Sequence, residues 1–168
     1  MSEVSRALHV VLVQPQIHWN TGNSGRSCLA AGAQLHLVEP LGFSLEAKQV
    51  RRAGLDYWPR VAPRVWDRWS DLESELSTLG EAYFVSPEAP RTFWEAGFAD
   101  RAVLIFGQET EGLPESIRAS HGPNLISIPM IDRELRSINL STSVGIVLFE
   151  VLRQWRERDL ETTQTVSR

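Results

Sequence analysis

The chain reads as an α/β domain built on a mainly parallel sheet with helices on both faces. Three observations predict this. Short β-branched runs alternate with helical stretches, the order that parallel βαβ units require. Glycine or proline punctuates nearly every junction. Near the C-terminus, Val144, Val147, Leu148, Val151, Leu152 and Trp155 fall at i, i+3, i+4, i+7, i+8 and i+11, one apolar helical stripe.

Taken in order, Leu8 to Val13 is the first strand, followed by the turn formers Asn20-Thr-Gly-Asn23, which can cap a helix running from about Ser24 to Gly32. Gln34 to Val38 is the second strand, closed by Pro40. Ser44 to Arg52 reads as a helix ended by Gly54, and Arg60 to Val65 as an irregular or strand segment broken by Pro63. Trp69, Leu72, Leu76 and Leu79, spaced by three or four, predict a helix over Asp67 to Leu79. Ala82 to Val85 and Ala102 to Phe106 are further strands, with one short helical turn at Arg91 to Gly97 between them. A short helix is expected from Glu115 to Ser120, then a buried strand from Asn124 to Ile128 ended by Pro129. The last helix runs from about Ser141 to Arg156, and its second apolar side, Ile146 and Phe149, predicts that it also forms a dimer interface.

With 168 residues, 42% hydrophobic, the chain suits one well-cored domain, 1–158, and a polar, aperiodic tail, 159–168, expected to fray. No apolar run approaches the roughly 20 residues that span a bilayer, and the first six residues lack a signal-peptide pattern, so a cytoplasmic location is expected. The single cysteine, Cys28, forms no internal disulfide and no metal cluster. The net charge of −4 argues against a nucleic-acid partner, but its distribution does not. Between Lys48 and Arg68 lie six basic and two acidic residues, a local balance of +4 that leaves −8 on the remainder. Tyr57, Trp58, Trp66 and Trp69 interleave with these charges, a mixture that either neutralises phosphates and stacks on bases or is a solvated face with core tryptophans.

Ligands of parallel sheets bind outside the carboxyl ends of the strands, so the loops after Val13, Val85, Phe106 and Ile128 are the candidates. The Gly107-Gln-Glu-Thr-Glu-Gly-Leu113 loop suits a backbone passing close to a ligand or another chain segment. No GxxxxGK[ST] is present and no GxGxxG follows the first strand, so nucleoside-triphosphate hydrolysis and ordinary dinucleotide binding lack support. Between Pro129 and the last helix, Ser137, Asn139 and Ser141 can either cap the helix or bind a ligand.

Together, Asn20-Thr-Gly-Asn-Ser-Gly-Arg26 with Gly32, Phe106-Gly-Gln-Glu-Thr-Glu-Gly-Leu-Pro114, and Ile128-Pro-Met130 followed by Arg136-Ser-Ile-Asn-Leu-Ser141 resemble the three motifs of the SpoU-type RNA 2′-O-ribose methyltransferases of the SPOUT superfamily, in order and spacing. Val38-Glu-Pro-Leu-Gly-Phe43 and Arg51-Arg-Ala-Gly-Leu-Asp-Tyr-Trp58 look like the compact branch that methylates the tRNA wobble nucleotide, cytidine or uridine 34. The resemblance spans Val10 to about Arg156. It implies a homodimer, a C-terminal deep trefoil knot, and S-adenosylmethionine as cofactor without a metal.

The resemblance also implies roles. Ser86, Gly107, Ile128 and Ser137 would hold the cofactor, with Met130 and Leu113 close by, Gly112 allowing close approach and Glu109 orienting backbone amides. Arg26 matches the catalytic arginine, with Asn20, Ser137 and Asn139 beside it; His18, which the resemblance does not single out, is a weaker candidate base on its place in the loop after the first strand. Relatives with an added RNA-binding domain are larger, so here Lys48, Arg51, Arg52, Tyr57, Trp58, Arg60 and Arg64 from both subunits would grip the anticodon stem-loop, with Trp58 or Trp66 stacking on a base. His18-Trp19 and Gln108 stand where prolines are common among relatives. The alternatives are methylation of another tRNA or rRNA site, a non-catalytic knotted RNA-binding dimer, and a flavodoxin-like small-molecule binder that leaves the basic aromatic segment without a purpose.

Overall fold

A computed structural model describes residues 5–46 and 56–166, with side chains described to 163. Six strands form one sheet in the order β3-β2-β1-β5-β4-β6: β1 Ala7–Val13, β2 Gln34–Val38, β3 Arg64–Trp66, β4 Glu81–Val85, β5 Arg101–Phe106 and β6 Leu125–Ile126. Every strand pairing is parallel. The helices are α1 His18–Ala31, α2 Trp58–Val61, α3 Trp69–Glu73, α4 Leu76–Leu79, α5 Glu115–Ser120 and α6 Leu140–Val166.

Alternation along the strands produces two cores. Val10, Leu12, Leu35, Leu37, Leu104 and Phe106 face Cys28 of α1 and Val144, Val147, Leu148, Val151 and Trp155 of α6. Val11, Val13, Val38, Phe84, Val103 and Ile105 face Leu72, Leu76 and Ile117 of α3, α4 and α5. Period-two side chains feed both faces of a parallel sheet, so the strands read as continuous apolar runs. The expected fold class and the stripe on the last helix are borne out.

Several boundaries differ. Helix α1 begins at His18, so Asn20 to Asn23 lie inside it rather than before it, and Gly32 ends it in a left-handed conformation, φ 69°. The expected helix over Asp67 to Leu79 is two short helices, α3 and α4, with Ser74 and Glu75 between them. Residues 91–97 form turns and one parallel bridge, Thr92 to Ser127, in place of a helical turn. The segment at 60–65 divides between α2 and β3. Ser44 to Glu46 are not helical, and the rest of that expected helix lies outside the described residues. The strand expected over Asn124 to Ile128 shortens to Leu125–Ile126. Helix α6 continues through Val166, into the tail expected to fray. Asp159 is held there by Arg6, whose guanidinium donates to both of its carboxylate oxygens at 2.7 Å; this fixes the helix extension to the start of β1.

Candidate active site

The loops after β4, β5 and β6 and the segment leading into α6 converge on one cavity of about 770 Å³ at the carboxyl ends of the strands, within the range for small-molecule sites. Its wall mixes apolar side chains, Val85, Phe106, Leu113, Ile128, Met130 and Leu140, with Ser86, Ser127, Ser137, Asn20 and Asn139. Two glycines shape the Gly107 loop. A Cβ on Gly107 would sit 2.0 Å from the carbonyl carbon of Gly112, so glycine there admits the loop's own returning backbone. Gly112 adopts φ +68°, a conformation that costs other residues about 1 kcal/mol or more. Between them the main chains of Gln108 and Gly112 exchange hydrogen bonds at 3.0 and 3.2 Å.

From this loop Glu109 reaches to the start of α1. Its carboxylate accepts from the main-chain N–H groups of Gln16, 2.8 Å, and Ile17, 3.1 Å, and from Asn20 Nδ2, 3.0 Å. The N-cap residue of α1, Ile17, has no side chain able to cap; an acid from 92 residues away instead holds the main chain leading into the helix, satisfies the N-cap amide and meets the positive end of the helix dipole. Asn20 Oδ1 in turn accepts from Asn139 Nδ2 at 3.0 Å. Asn139 Oδ1 accepts from Ser141 N, Ser141 Oγ and Thr142 N at 2.8–3.2 Å, making Asn139 the N-cap of α6. One chain of hydrogen bonds, Glu109 to Asn20 to Asn139, therefore ties together the first turns of the two helices that flank the cavity.

The structure thus brings together Asn20, Ser86, Gly107, Glu109, Gly112, Leu113, Ile128, Met130, Ser137 and Asn139. Arg26 does not line the cavity. It lies on the exposed side of α1, six residues beyond Asn20, or about 9 Å along the axis at the usual rise. Its guanidinium rests over the Tyr57 ring, 5.0 Å from the centroid, and the Tyr57 hydroxyl donates to Gly22 O at 2.9 Å. Burial pushes the Tyr57 phenol upward, keeping it a neutral donor. The pair holds the arginine pointing outward.

Of the expected RNA contacts, Lys48, Arg51 and Arg52 lie outside the described residues. Arg60 and Arg64 are exposed, Arg64 stacked over Trp66 at 3.9 Å. Trp58 and Trp66 cannot stack on a base: each is 8% exposed. Trp58 packs on Gly25, and the Trp66 indole donates to His36 Nδ1 at 3.1 Å. Nor is His18 in the cavity wall; its ring lies on Trp19. Sequence reasoning missed Glu88 and Arg118, which line the cavity and pair with each other; no motif marks them. Among the described residues, no group of three or more His, Cys, Asp or Glu is placed to hold a metal ion.

A parallel sheet with a mixed polar and apolar cavity beyond its carboxyl ends defines an α/β protein of the small-molecule-binding class. The SpoU rRNA Methylase family model matches residues 7–149, and the chain belongs to that family. It is 41% identical over 152 residues to a tRNA (cytidine(34)-2′-O)-methyltransferase of Methylovorus glucosotrophus, covering 89% of this chain and 95% of that one. A Lactococcus lactis subsp. cremoris protein, provisionally given the same name, is 38% identical over 160 residues, 94% of this chain and 95% of the relative. A solved structure reported for 2′-OH methylation of C/U34 on tRNA superposes with a TM-score of 0.83 at 38% identity, covering 90% of this chain and 98% of that one.

Proposed function

We propose that this chain is an S-adenosylmethionine-dependent methyltransferase acting on the ribose 2′-hydroxyl of nucleotide 34, cytidine or uridine, of tRNA. The observation that carries the reading is the cavity: its wall is built from the three motifs that the methylase family shares, and the Glu109–Asn20–Asn139 chain couples it to α1, which bears Arg26. The relatives named for cytidine 34 cover nearly their whole length with this chain.

The cavity residues suit the cofactor. Phe106, Leu113, Ile128 and Met130 offer apolar and polarisable surface for an adenine ring. Ser86, Ser127 and Ser137 supply hydroxyls for the ribose and amino-acid parts. When bound there, S-adenosylmethionine supplies an electrophilic methyl on a sulfonium. The chain's own task is alignment: the attacking 2′-oxygen must lie in line with the methyl carbon and sulfur, and positioning of that kind can account for much of the acceleration. With the cofactor held by Ser86, Gly107, Ile128 and Ser137, transfer would form the C–O bond as the C–S bond broke, the hydroxyl proton passing to solvent. Arg26 is not the base, since a guanidinium presents only N–H donors and no acceptor; its outward guanidinium holds the phosphate beside the target ribose and stabilises developing negative charge on the oxygen. Asn20 and Asn139 act as positioning residues, because their amides bind each other, Glu109 and the α6 amides.

The reading includes a homodimer through α6, supported by the exposed Phe149 and Leu160, eleven residues apart and so on one helical face. It also includes the C-terminal knot, supported by the passage of residues 128–139 along the same cavity as the Ser86 and Gly107 loops. Exposed Arg60 and Arg64 support an anticodon stem-loop contact, with Lys48, Arg51 and Arg52 adding charge. No helix among the described residues is long and apolar enough to cross a membrane; the proposed site of action is the cytoplasm, where tRNA is modified. Transfer of labelled methyl to tRNA into alkali-resistant dinucleotides tests the reading; label that remains alkali-sensitive, or none, rejects 2′-O-methylation.

A further inference from the structure

Trp19 sits in the first turn of α1 between two residues of the cavity wall, Ile17 and Asn20. It is 61% exposed, and Ile17 is 40% exposed. One face of the indole is backed: the His18 ring lies 3.9 Å away, centroid to centroid, tilted by 37°. Phe43 lies behind His18 at 6.4 Å. The Phe43 segment is itself pinned to the loop before α1, Gly42 N donating to Pro15 O at 3.0 Å. The Glu109 bonds to Gln16 and Ile17 fix the backbone that carries the ring. The result is a supported, open aromatic plate carried between two residues of the cavity wall.

We propose that Trp19 is a stacking platform for a base of the RNA, namely the base of the nucleotide whose ribose is methylated. The inference rests on the RNA-methylation reading above and adds to it a residue that the reading leaves without a role. An RNA base fits the plate better than a protein partner does. Trp19 and Ile17 together offer far less than the roughly 800 Å² per side that a stable protein interface buries, whereas one indole matches one base and every base has a π-face. Neither Trp19 nor the other strongly exposed tryptophan, Trp94, itself lines the cavity, but Trp19 adjoins two wall residues at the start of α1 whereas residues 91–97 contribute none to the wall, and Trp58 and Trp66 are buried. Trp19 is therefore the exposed indole placed to hold a nucleotide while its ribose enters the site.

The test is a cycle of two proteins and two RNAs: wild type and Trp19→Ala, each titrated with an anticodon stem-loop and with the same stem-loop made abasic at the target nucleotide, its 2′-hydroxyl retained. Loss of one base–aromatic stack weakens binding about 5- to 150-fold. The expected result is that either change alone produces this loss and that the two together produce no more, with S-adenosylmethionine affinity unchanged and Trp19→Phe recovering most of the binding. Independent, multiplying losses overturn the inference, as does wild-type affinity in Trp19→Ala. A changed sedimentation mass for Trp19→Ala also overturns it, because the ring would then be a subunit contact. If the wild type neither binds nor methylates the intact stem-loop, the functional reading itself fails and takes this inference with it; methylation by the wild type with an indifferent Trp19 rejects the platform alone.

Discussion

Glu109→Gln isolates the contact that joins the Gly107 loop to α1. In the native side chain Oε1 accepts from Ile17 N and Asn20 Nδ2, and Oε2 from Gln16 N. An amide keeps one acceptor. With its oxygen left toward Ile17 and Asn20, its NH₂ faces the Gln16 N–H, donor against donor. One hydrogen bond to a charged acceptor is lost, about 1.5–3 kcal/mol, together with a charge at a helix N-terminus, about 0.3–1 kcal/mol. Because Glu109 is half-buried and water can take over part of the bonding, the lower end applies, about 2 kcal/mol. For a chain of this size that lowers the melting temperature by roughly 4–8 °C. Circular dichroism melts at neutral pH measure it, and methyl transfer should fall more steeply than cofactor affinity because Asn20 loses its anchor. A melting shift below about 1 °C with full activity would refute the account of Glu109 as the cap of α1.

Other consequences follow from particular residues. Gly107→Ala puts a methyl 2.0 Å from the Gly112 backbone; the loop must open, and cofactor binding, followed calorimetrically, should be lost while Gly122→Ala, which meets nothing within 4 Å, serves as control. Burial, with His9 and Arg64 adding, pushes His36 down to about 4, and burial with Arg101 lowers His9. The unfolded chain therefore binds more protons than the folded one between pH 6.5 and about 4, and stability is present above that window and falls by about 3 kcal/mol across it. Denaturant titrations of wild type and His36→Gln at pH 7 and 4.5 check this, a flat wild-type profile being the contrary result. Phe149→Asp should halve the mass measured by sedimentation at micromolar concentration; an unchanged mass places the subunit contact elsewhere.

The sheet was legible because its signal is local. Valine, isoleucine and leucine runs ended by glycine or proline describe buried parallel strands whatever surrounds them, and the α6 stripe needs only its own spacing. The start of α1 was not legible. Asn20 to Asn23 carry the composition of a cap, yet the helix already begins at His18, where Glu109, distant in sequence, holds the amides of Gln16 and Ile17 just ahead of it and the Asn20 side chain in its first turn. The break between α3 and α4 was hidden for the opposite reason: Trp69, Leu72, Leu76 and Leu79 keep helical spacing across it. Of the site, the cavity residues were readable as motifs, but the burial of Trp58 and Trp66 and the exposure of Trp19 depend on packing between elements, which composition does not report.

The account is tested most directly by nucleoside mass spectrometry of tRNA from a strain lacking its own wobble methylase, after incubation with the protein and S-adenosylmethionine, beside Arg26→Ala. The account predicts 2′-O-methylcytidine or 2′-O-methyluridine mapped to position 34, reduced about 10²- to 10³-fold in rate by the substitution. Cofactor binding without any methylated nucleoside at position 34 would contradict it.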